Sequence, residues 1–330
     1  MELKIPLLLY GTAWKEERTA HLTETAVLKG FTCIDTANYP TAYDEKLTGD
    51  GIAAALKSGI KRSDLFIQTK FTPVWAHHPS KIPFNPHQDI EGQITESIRQ
   101  SLEHLQVDYL DSLLLHVPFQ QDSDNLVAWK VLETFVPHAI RSLGVSNFKL
   151  SQLKEVYANA TLKPAIVQNR FYKETGYDID LRDFCAERGI TYQAYWMLRN
   201  NPEILASDIL KSVAVKLNVE KELAFYVLIL GLGGTQVLNG TTNPGRMAQD
   251  LKTVGEVFGN KARLQSRLRS VILLALEMLA MEMLAMATLA MEVLAMAPLD
   301  MEMLAMEMLA MEMLAMETLA METLALESNT

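Results

Sequence analysis

Short apolar runs and helical patterns alternate along the first 240 residues. The apolar runs are IPLLLYG (5–11), FTCIDTA (31–37), LFIQTKF (65–71), DSLLLHV (111–117), IRSLGVS (140–146), AIVQNRF (165–171), GITYQAY (189–195) and TQVLNG (235–240). Most are rich in Ile, Leu, Val, Phe and Tyr without strict alternation, the pattern of parallel strands covered on both faces. The intervening segments place apolar residues at helical spacing. Leu22, Ala26 and Leu28 do so in 17–30, and Ile94, Ile98, Leu102 and Leu105 in 94–107. Segments 151–160 and 180–189 follow the same logic, the second with Gly189 as its C-cap. Eight strand–helix units in about 260 residues predict an α/β fold, a (β/α)8 TIM barrel. An open doubly wound sheet is the runner-up. Its marker is missing: the Gly-rich run GLGG at 231–234 lacks GxGxxG spacing and precedes a strand, so it is expected to be a helix-to-strand turn.

The pattern changes abruptly near the C-terminus. From Leu276 to Leu326 the chain repeats five residues at a time (LEMLA, MEMLA, MATLA, MEVLA), and this stretch holds 14 of the 17 methionines. Its residue types favour helix. A five-residue period advances about 140° per repeat, so neither one apolar stripe nor a coiled-coil seam forms. Glutamate recurs too often for a membrane span. The expected organisation is therefore a barrel over 1–262 and an appended low-complexity helical tail over 263–330. That tail is a product of tandem repetition, a self-associating helix or an interfacial segment.

Charge sharpens this division. The net charge is −10, yet no Lys or Arg follows Arg269, and nine Glu and Asp300 lie beyond it. The remainder holds 30 acidic and 30 basic residues and is formally neutral. A neutral body argues against a nucleic-acid groove or docking on an anionic membrane. Cys33 and Cys185 form no CxxC pair, so a reducing, cytoplasmic compartment is expected. The N-terminal MELKIPLLLYGTAW has no small-residue cleavage site and is predicted to be a strand, not a signal peptide. The sequons Asn159-Ala-Thr161 and Asn239-Gly-Thr241 then carry no glycan.

Candidate chemistry sits at the strand ends. Asp35 closes the second strand, Tyr43 follows in the loop, Lys70 closes the third strand and His116 the fourth. In a barrel these ends share one rim, where active sites are built. Taken singly, an Asp after a strand is usually a cap, and a Lys or His there is usually structural. Together they make a proton-donating site. Lys70 is expected to lower the tyrosine pKa from about 10, Asp35 to hold Lys70, and His116 to bond a substrate carbonyl or the tyrosine hydroxyl. No metal site is expected.

With YGTAW (10–14), IDTANY (34–39), IQTK (67–70), LLLHVP (113–118), GVSNF (144–148) and VQNRF (167–171) in order, the sequence resembles the aldo-keto reductase family over about residues 5–258, in a fungal- or plant-type subgroup. The resemblance implies NAD(P)H-dependent reduction of aldehyde or ketone carbonyls, with hydride from nicotinamide and a proton from tyrosine. The alternative is a nicotinamide-nucleotide-binding regulatory module with weak or no catalysis. Tyr43 is the implied donor, with Asp35, Lys70 and His116 as partners. The usual family spacing falls on Pro40, between Tyr39 and Tyr43; DEKLTGDG after Tyr43 favours Tyr43, and Tyr39 stays open.

Ser146, Asn147 and Gln168 match the family's contacts to the nicotinamide carboxamide, and Tyr195 the ring that stacks on nicotinamide. Ser146-Asn147 also fit a plain helix N-cap. LNGTTNPGRMAQDL (238–251) matches the phosphate loop: Thr241, Arg246 and Gln249 are the implied cofactor contacts, with Pro244 opening a helix whose free N–H groups face an anion. Gly240 stands where the family carries Lys, so NADPH is implied with NADH possible. The repeat begins where family members close the substrate pocket. Trp14, Trp75, Phe119 and Trp196 are candidates for its apolar wall, or ordinary core residues. The implied partners are a small-molecule carbonyl substrate and, through the tail, further copies of the chain; the protein is otherwise monomeric.

Overall fold

The computed structural model describes residues 6–258. The expected boundary at 262 and the tail from 263 to 330 lie outside the described residues. The described residues fall into two compact units. One comprises 6–202 and 229–256, the other 203–228 with 257–258.

The first unit is built on eight parallel strands in sequential order, closed into a barrel. They are β1 (Leu8–Gly11), β2 (Cys33–Asp35), β3 (Phe66–Phe71), β4 (Ser112–Leu115), β5 (Leu143–Ser146), β6 (Ile166–Arg170), β7 (Thr191–Tyr195) and β8 (Thr235–Asn239). Pairing of Leu8 with Val237 closes the ring. All eight expected strands form, and the (β/α)8 architecture holds. The fifth run was expected from residue 140. Ile140 instead makes an isolated bridge to Leu110, and the strand proper starts at Leu143.

Between the strands lie α1 (Thr19–Lys29), α2 (Glu45–Lys57), α3 (Ile90–Leu105), α4 (Asp122–Glu133), α5 (Leu150–Asn159), α6 (Ile179–Glu187) and α7 (Met197–Asn200). Their ends follow from local chemistry. Asp44 Oδ1 accepts from Leu47 N at 2.8 Å and Asp89 Oδ1 from Gly92 N at 2.8 Å, which satisfies first-turn donors of α2 and α3. Arg188 caps α6, and Gly189 follows it at φ 66°, one residue beyond its expected place. On α2, a Cβ at Gly49 would lie 2.0 Å from His104 O and one at Gly51 2.4 Å from Ala20 O. Only glycine lets α1 and α3 approach α2 this closely.

The core includes Leu9, Cys33, Phe66, Leu114 and Ile166, one residue from each of five strands, with Ala165 and Leu238 against it. Burial of each large aliphatic or aromatic side chain contributes about 1.5–3 kcal/mol. A rigid frame of this kind fixes the strand ends, and with them the site.

The second unit contains nearly all of α8 (Pro202–Ala206), α9 (Asp208–Leu217) and most of α10 (Lys221–Gly231). Ser207 Oγ caps α9 by accepting from Leu210 N at 3.2 Å. GLGG is the expected helix-to-strand turn, with Gly233 and Gly234 at positive φ before β8. After β8, α11 (Pro244–Phe258) begins at the proline. Among the described residues no helix is long and apolar enough to cross a membrane.

Candidate active site

Asp35 and Lys70 occupy the ends of adjacent strands and both are fully buried. Lys70 Nζ donates to Asp35 Oδ2 at 2.7 Å and to Thr36 O at 2.8 Å. Asp35 Oδ1 accepts from Gln68 Nε2 at 2.7 Å and Gln168 Nε2 at 3.0 Å. A buried pair is tolerated only when its remaining bonding capacity is met in this way. Gln193 extends the network: its Oε1 accepts from Gln68 at 2.8 Å and Gln168 at 2.9 Å, and its Nε2 donates to Gln236 at 3.0 Å. The barrel interior thus holds a belt of glutamine amides beneath the ion pair.

The loop after β2 folds back on itself, with Tyr43 N and Ala42 N both donating to Tyr39 O at 3.1 Å. This brings both tyrosines to His116. The Tyr39 ring lies 5.5 Å and the Tyr43 ring 6.0 Å from the imidazole, each edge-on. Lys70 separates them, because its Nζ stands 5.0 Å from the Tyr43 ring centroid. Tyr39 packs instead on His77, with centroids 5.4 Å apart.

Lys70 was expected to lower the Tyr43 pKa. The phenol is instead pushed up, first by burial, then by the charge of Asp35 and by Tyr39. The physical reason is that burial penalises the phenolate, and the carboxylate of Asp35, paired with Lys70 at 2.7 Å, opposes the ammonium's pull on the same ring. Tyr43 is therefore held as a neutral phenol. His116 is held well below the usual histidine range by burial, Lys70 and His77, so its imidazole is neutral as well.

Across the mouth, Ser146 Oγ donates to Gln168 O at 2.7 Å, so it does not cap α5. The residue that starts α5 is Lys149, whose N–H donates to Gln152 Oε1 at 3.1 Å. Asn147 sits at φ 62°. Its Nδ2 donates to His116 O at 2.8 Å and Ser146 Oγ at 3.1 Å, and Tyr195 OH donates to its Oδ1. Asn147 therefore ties His116, just beyond β4, to the aromatic ring of Tyr195 on β7. Gln168 stands deeper than expected: its amide nitrogen bonds Asp35 and Gln193.

The loop after β8 differs from expectation in one respect. The first-turn N–H groups of α11 are not free: Asn243 Oδ1 accepts from Gly245 N at 2.8 Å and Arg246 N at 3.1 Å, and Asn243 O from Met247 N at 3.0 Å. An anion here would meet the helix dipole and side chains, not bare amides. Thr241 N donates to Asn239 Oδ1 at 2.9 Å, and Gln249 Nε2 to Thr253 Oγ1 at 3.2 Å. Arg246 and Gln249 are exposed.

Sequence reasoning missed Lys15. It is 7% exposed, donates to Gly240 O, and has no carboxylate partner among the described residues. A Cβ at Gly240 would meet only the Lys15 ammonium, at 3.7 Å. Position 240 thus faces the Lys15 side chain, which reaches it from the loop after β1. The signal was the lysine of YGTAWK, whose reach across 225 residues no local pattern reveals. The candidate wall residues are at the rim, not in the core: Trp14 is 55%, Trp75 48% and Trp196 36% exposed, while Phe119 stacks on Phe71 at 6.3 Å.

A barrel with this set of strand-end residues matches the model of the aldo/keto reductase family over residues 9–201. The chain belongs to the aldo/keto reductase family. It is 32% identical over 210 residues to the glyoxal reductase of Bacillus subtilis, covering 62% of this chain and 68% of that one. It is 29% identical to the D/L-glyceraldehyde reductase of Hypocrea jecorina, covering 76% of this chain and 81% of the other. Among solved structures, a Bombyx mori aldo-keto reductase in complex with NADP superposes with a TM-score of 0.64 at 22% identity, over 82% of this chain and 89% of that one. As a member of this family the chain is an NAD(P)H-dependent oxidoreductase that reduces carbonyl groups.

Proposed function

We propose that Tyr43 is the proton donor of a reductase of small aldehydes or ketones that uses NADPH and accepts NADH. The observation that carries this reading is the placement of Lys70 at 5.0 Å from the Tyr43 ring, with Asp35 holding its ammonium. Nicotinamide, when bound, supplies hydride to the carbonyl carbon. The remaining work falls to side chains of this chain. Tyr43 releases its hydroxyl proton to the carbonyl oxygen, and Lys70 stabilises the phenolate that is left. Asp35 fixes Lys70 in a buried site. Tyr195 offers a flat, partly buried ring for stacking, and Ser146, Asn147 and Gln168 form the polar edge beside it.

The donor set suits a dinucleotide phosphate. Arg246 stands in the first turn of α11, and Lys15, with no carboxylate partner among the described residues, lies beside the same loop. Trp14, Trp75 and Trp196, exposed at the strand-end mouth, supply the apolar wall for a small substrate. The reductases of glyoxal and of glyceraldehyde among the relatives favour short aldehydes.

The test is consumption of NADPH by the purified chain with glyoxal, glyceraldehyde and simple aromatic aldehydes. Oxidation with at least one is expected. A protein that quenches NADPH fluorescence and oxidises it with none would instead be a nucleotide-binding module. Cys33 and Cys185 are both free and buried, in keeping with a cytoplasmic setting. Residues 1–262 are proposed as the reductase domain, with the repeat as a dispensable segment through which copies associate. A chain ending at Arg269 should stay soluble, bind NADPH and run as a monomer; unfolding on truncation contradicts this division.

A further inference from the structure

Thr72 lies two residues beyond Lys70 and is 1% exposed. Its Oγ1 stands 2.7 Å from His116 Nδ1. Two arrangements share that distance. Either the imidazole N–H donates to the hydroxyl, or the hydroxyl donates to the bare ring nitrogen. A neutral imidazole carries one N–H, and a threonine hydroxyl has one hydrogen and two lone pairs. The two arrangements therefore place the single ring hydrogen on opposite sides of His116.

Burial decides between them. Among the described residues, Nδ1 of His116 is the one acceptor within reach of the Thr72 hydroxyl. If Nδ1–H were the donor, the hydroxyl hydrogen would be left buried with nothing to bond. An unmet buried donor is the costlier defect; an unused lone pair is tolerated. The neighbouring histidine obeys the same logic. Thr72 O can only accept, so the 3.0 Å contact to His77 Nε2 places the hydrogen of His77 on Nε2. His77 Nδ1 is then a bare acceptor, and it is indeed buried without a partner.

We infer that Thr72 is a positioning residue, which donates to His116 Nδ1 and locks His116 in the tautomer with its hydrogen on Nε2. His77 steadies Thr72 from behind through its carbonyl. Nε2, which has no hydrogen-bond partner among the described residues, then presents an N–H as the second donor beside the hydroxyl of Tyr43. Two donors converging on a carbonyl oxygen stabilise the negative charge that develops as hydride arrives. In this tautomer His116 has no lone pair on Nε2 to accept a proton from Tyr43, so Tyr43 gives its proton directly to substrate. The burial of His116 and the nearby charge of Lys70 keep the ring neutral, without which the tautomer would have no meaning.

The kinetic part of this inference rests on the carbonyl-reduction reading; the tautomer itself does not. Two-dimensional 1H–15N spectra of the intact chain labelled in histidine report it directly. His116, assigned by its loss in His116→Gln, should show the Nε2–H pattern in the wild type. Thr72→Val keeps the shape and removes the donor; it should shift His116 toward the Nδ1–H form and lower kcat about tenfold or more. KM and NADPH affinity should change far less, and Thr72→Ser should restore both spectrum and kcat. A wild-type spectrum showing Nδ1–H overturns the inference even if every variant misfolds. So does a Thr72→Val protein with unchanged tautomer and kcat. Loss of activity in all forms with the Nε2–H pattern intact would count against the reductase reading alone.

Discussion

At the ends of β2 and β3 the ionisable side chains are buried and bonded to one another; after β8 Arg246 is exposed, and the polar groups around it bond mostly within their own loop. Asp35 and Lys70 share a 2.7 Å salt bridge at essentially zero exposure, with two glutamine amides completing the carboxylate. Arg246 and Gln249 point from the first turns of α11 into solvent, and even the helix N–H groups are taken by Asn243. Charge in the first region is preorganised, so it does not rearrange when a carbonyl oxygen becomes an alkoxide. Charge in the second is available, and screened, which suits the reversible capture of a phosphate. On the proposed reading, one region lowers a barrier and the other sets an affinity.

That contrast predicts effects of graded size. Lys70→Met should be the most severe, because it leaves Asp35 as an uncompensated buried charge. A loss of about 3–5 kcal/mol in stability is expected, together with a fall in turnover of about 100-fold or more. Adding Asp35→Asn should recover much of the stability and none of the turnover. A denaturation midpoint for Lys70→Met equal to that of the wild type would show that the pair is not the tight element described.

Arg246→Ala should touch binding alone. Charged hydrogen bonds contribute about 1.5–3 kcal/mol, so NADPH affinity should fall about tenfold or more while NADH affinity, stability and kcat hold. Titration of both nucleotides checks this. A wild type that prefers NADH, or an Arg246→Ala protein with undiminished preference for NADPH, would remove Arg246 from the phosphate site.

The smallest effect is expected at His104, on the outer layer. Its Nδ1 lies 3.5 Å from Glu45 Oε2, and the hydrogen bond to Glu45 raises its pKa above 6.5. A raised folded-state value means that the stabilisation is complete below about pH 6.5 and vanishes as pH rises through the higher folded value. The ring is partly exposed, so the contribution is about 0.5 kcal/mol or less. Denaturation of wild type and His104→Gln should converge at alkaline pH and separate slightly at acidic pH; separation of the opposite sign would contradict the assignment.

The two regions also differed in how far the sequence revealed them. The strands were legible because parallel strands, covered on both faces, read as apolar runs; the strand-end positions of Asp35, Lys70 and His116 followed at once. The choice between Tyr39 and Tyr43 was not, because it depends on a turn that brings both rings to one histidine. Nor were Thr72 and Lys15, whose contacts with His116 and Gly240 cross 44 and 225 residues. The raised pKa of Tyr43 was hidden for a related reason: Lys70 and Asp35 are visible in sequence, but the burial of the phenol, the largest cause, is a matter of packing. At β8 the loop and helix start were foreseen, while capture of the free N–H groups by Asn243 was not.

The central claim is that Tyr43, beside Lys70, delivers the proton, while Tyr39 packs on His77. Single-turnover hydride transfer, measured by stopped flow with NADPH bound to wild type, Tyr43→Phe and Tyr39→Phe, tests it most directly. Tyr43→Phe should be slower by about 10²–10⁴-fold with cofactor affinity unchanged, and Tyr39→Phe should stay close to wild type. A slow Tyr39→Phe beside an active Tyr43→Phe would contradict the assignment and move the donor to the other ring.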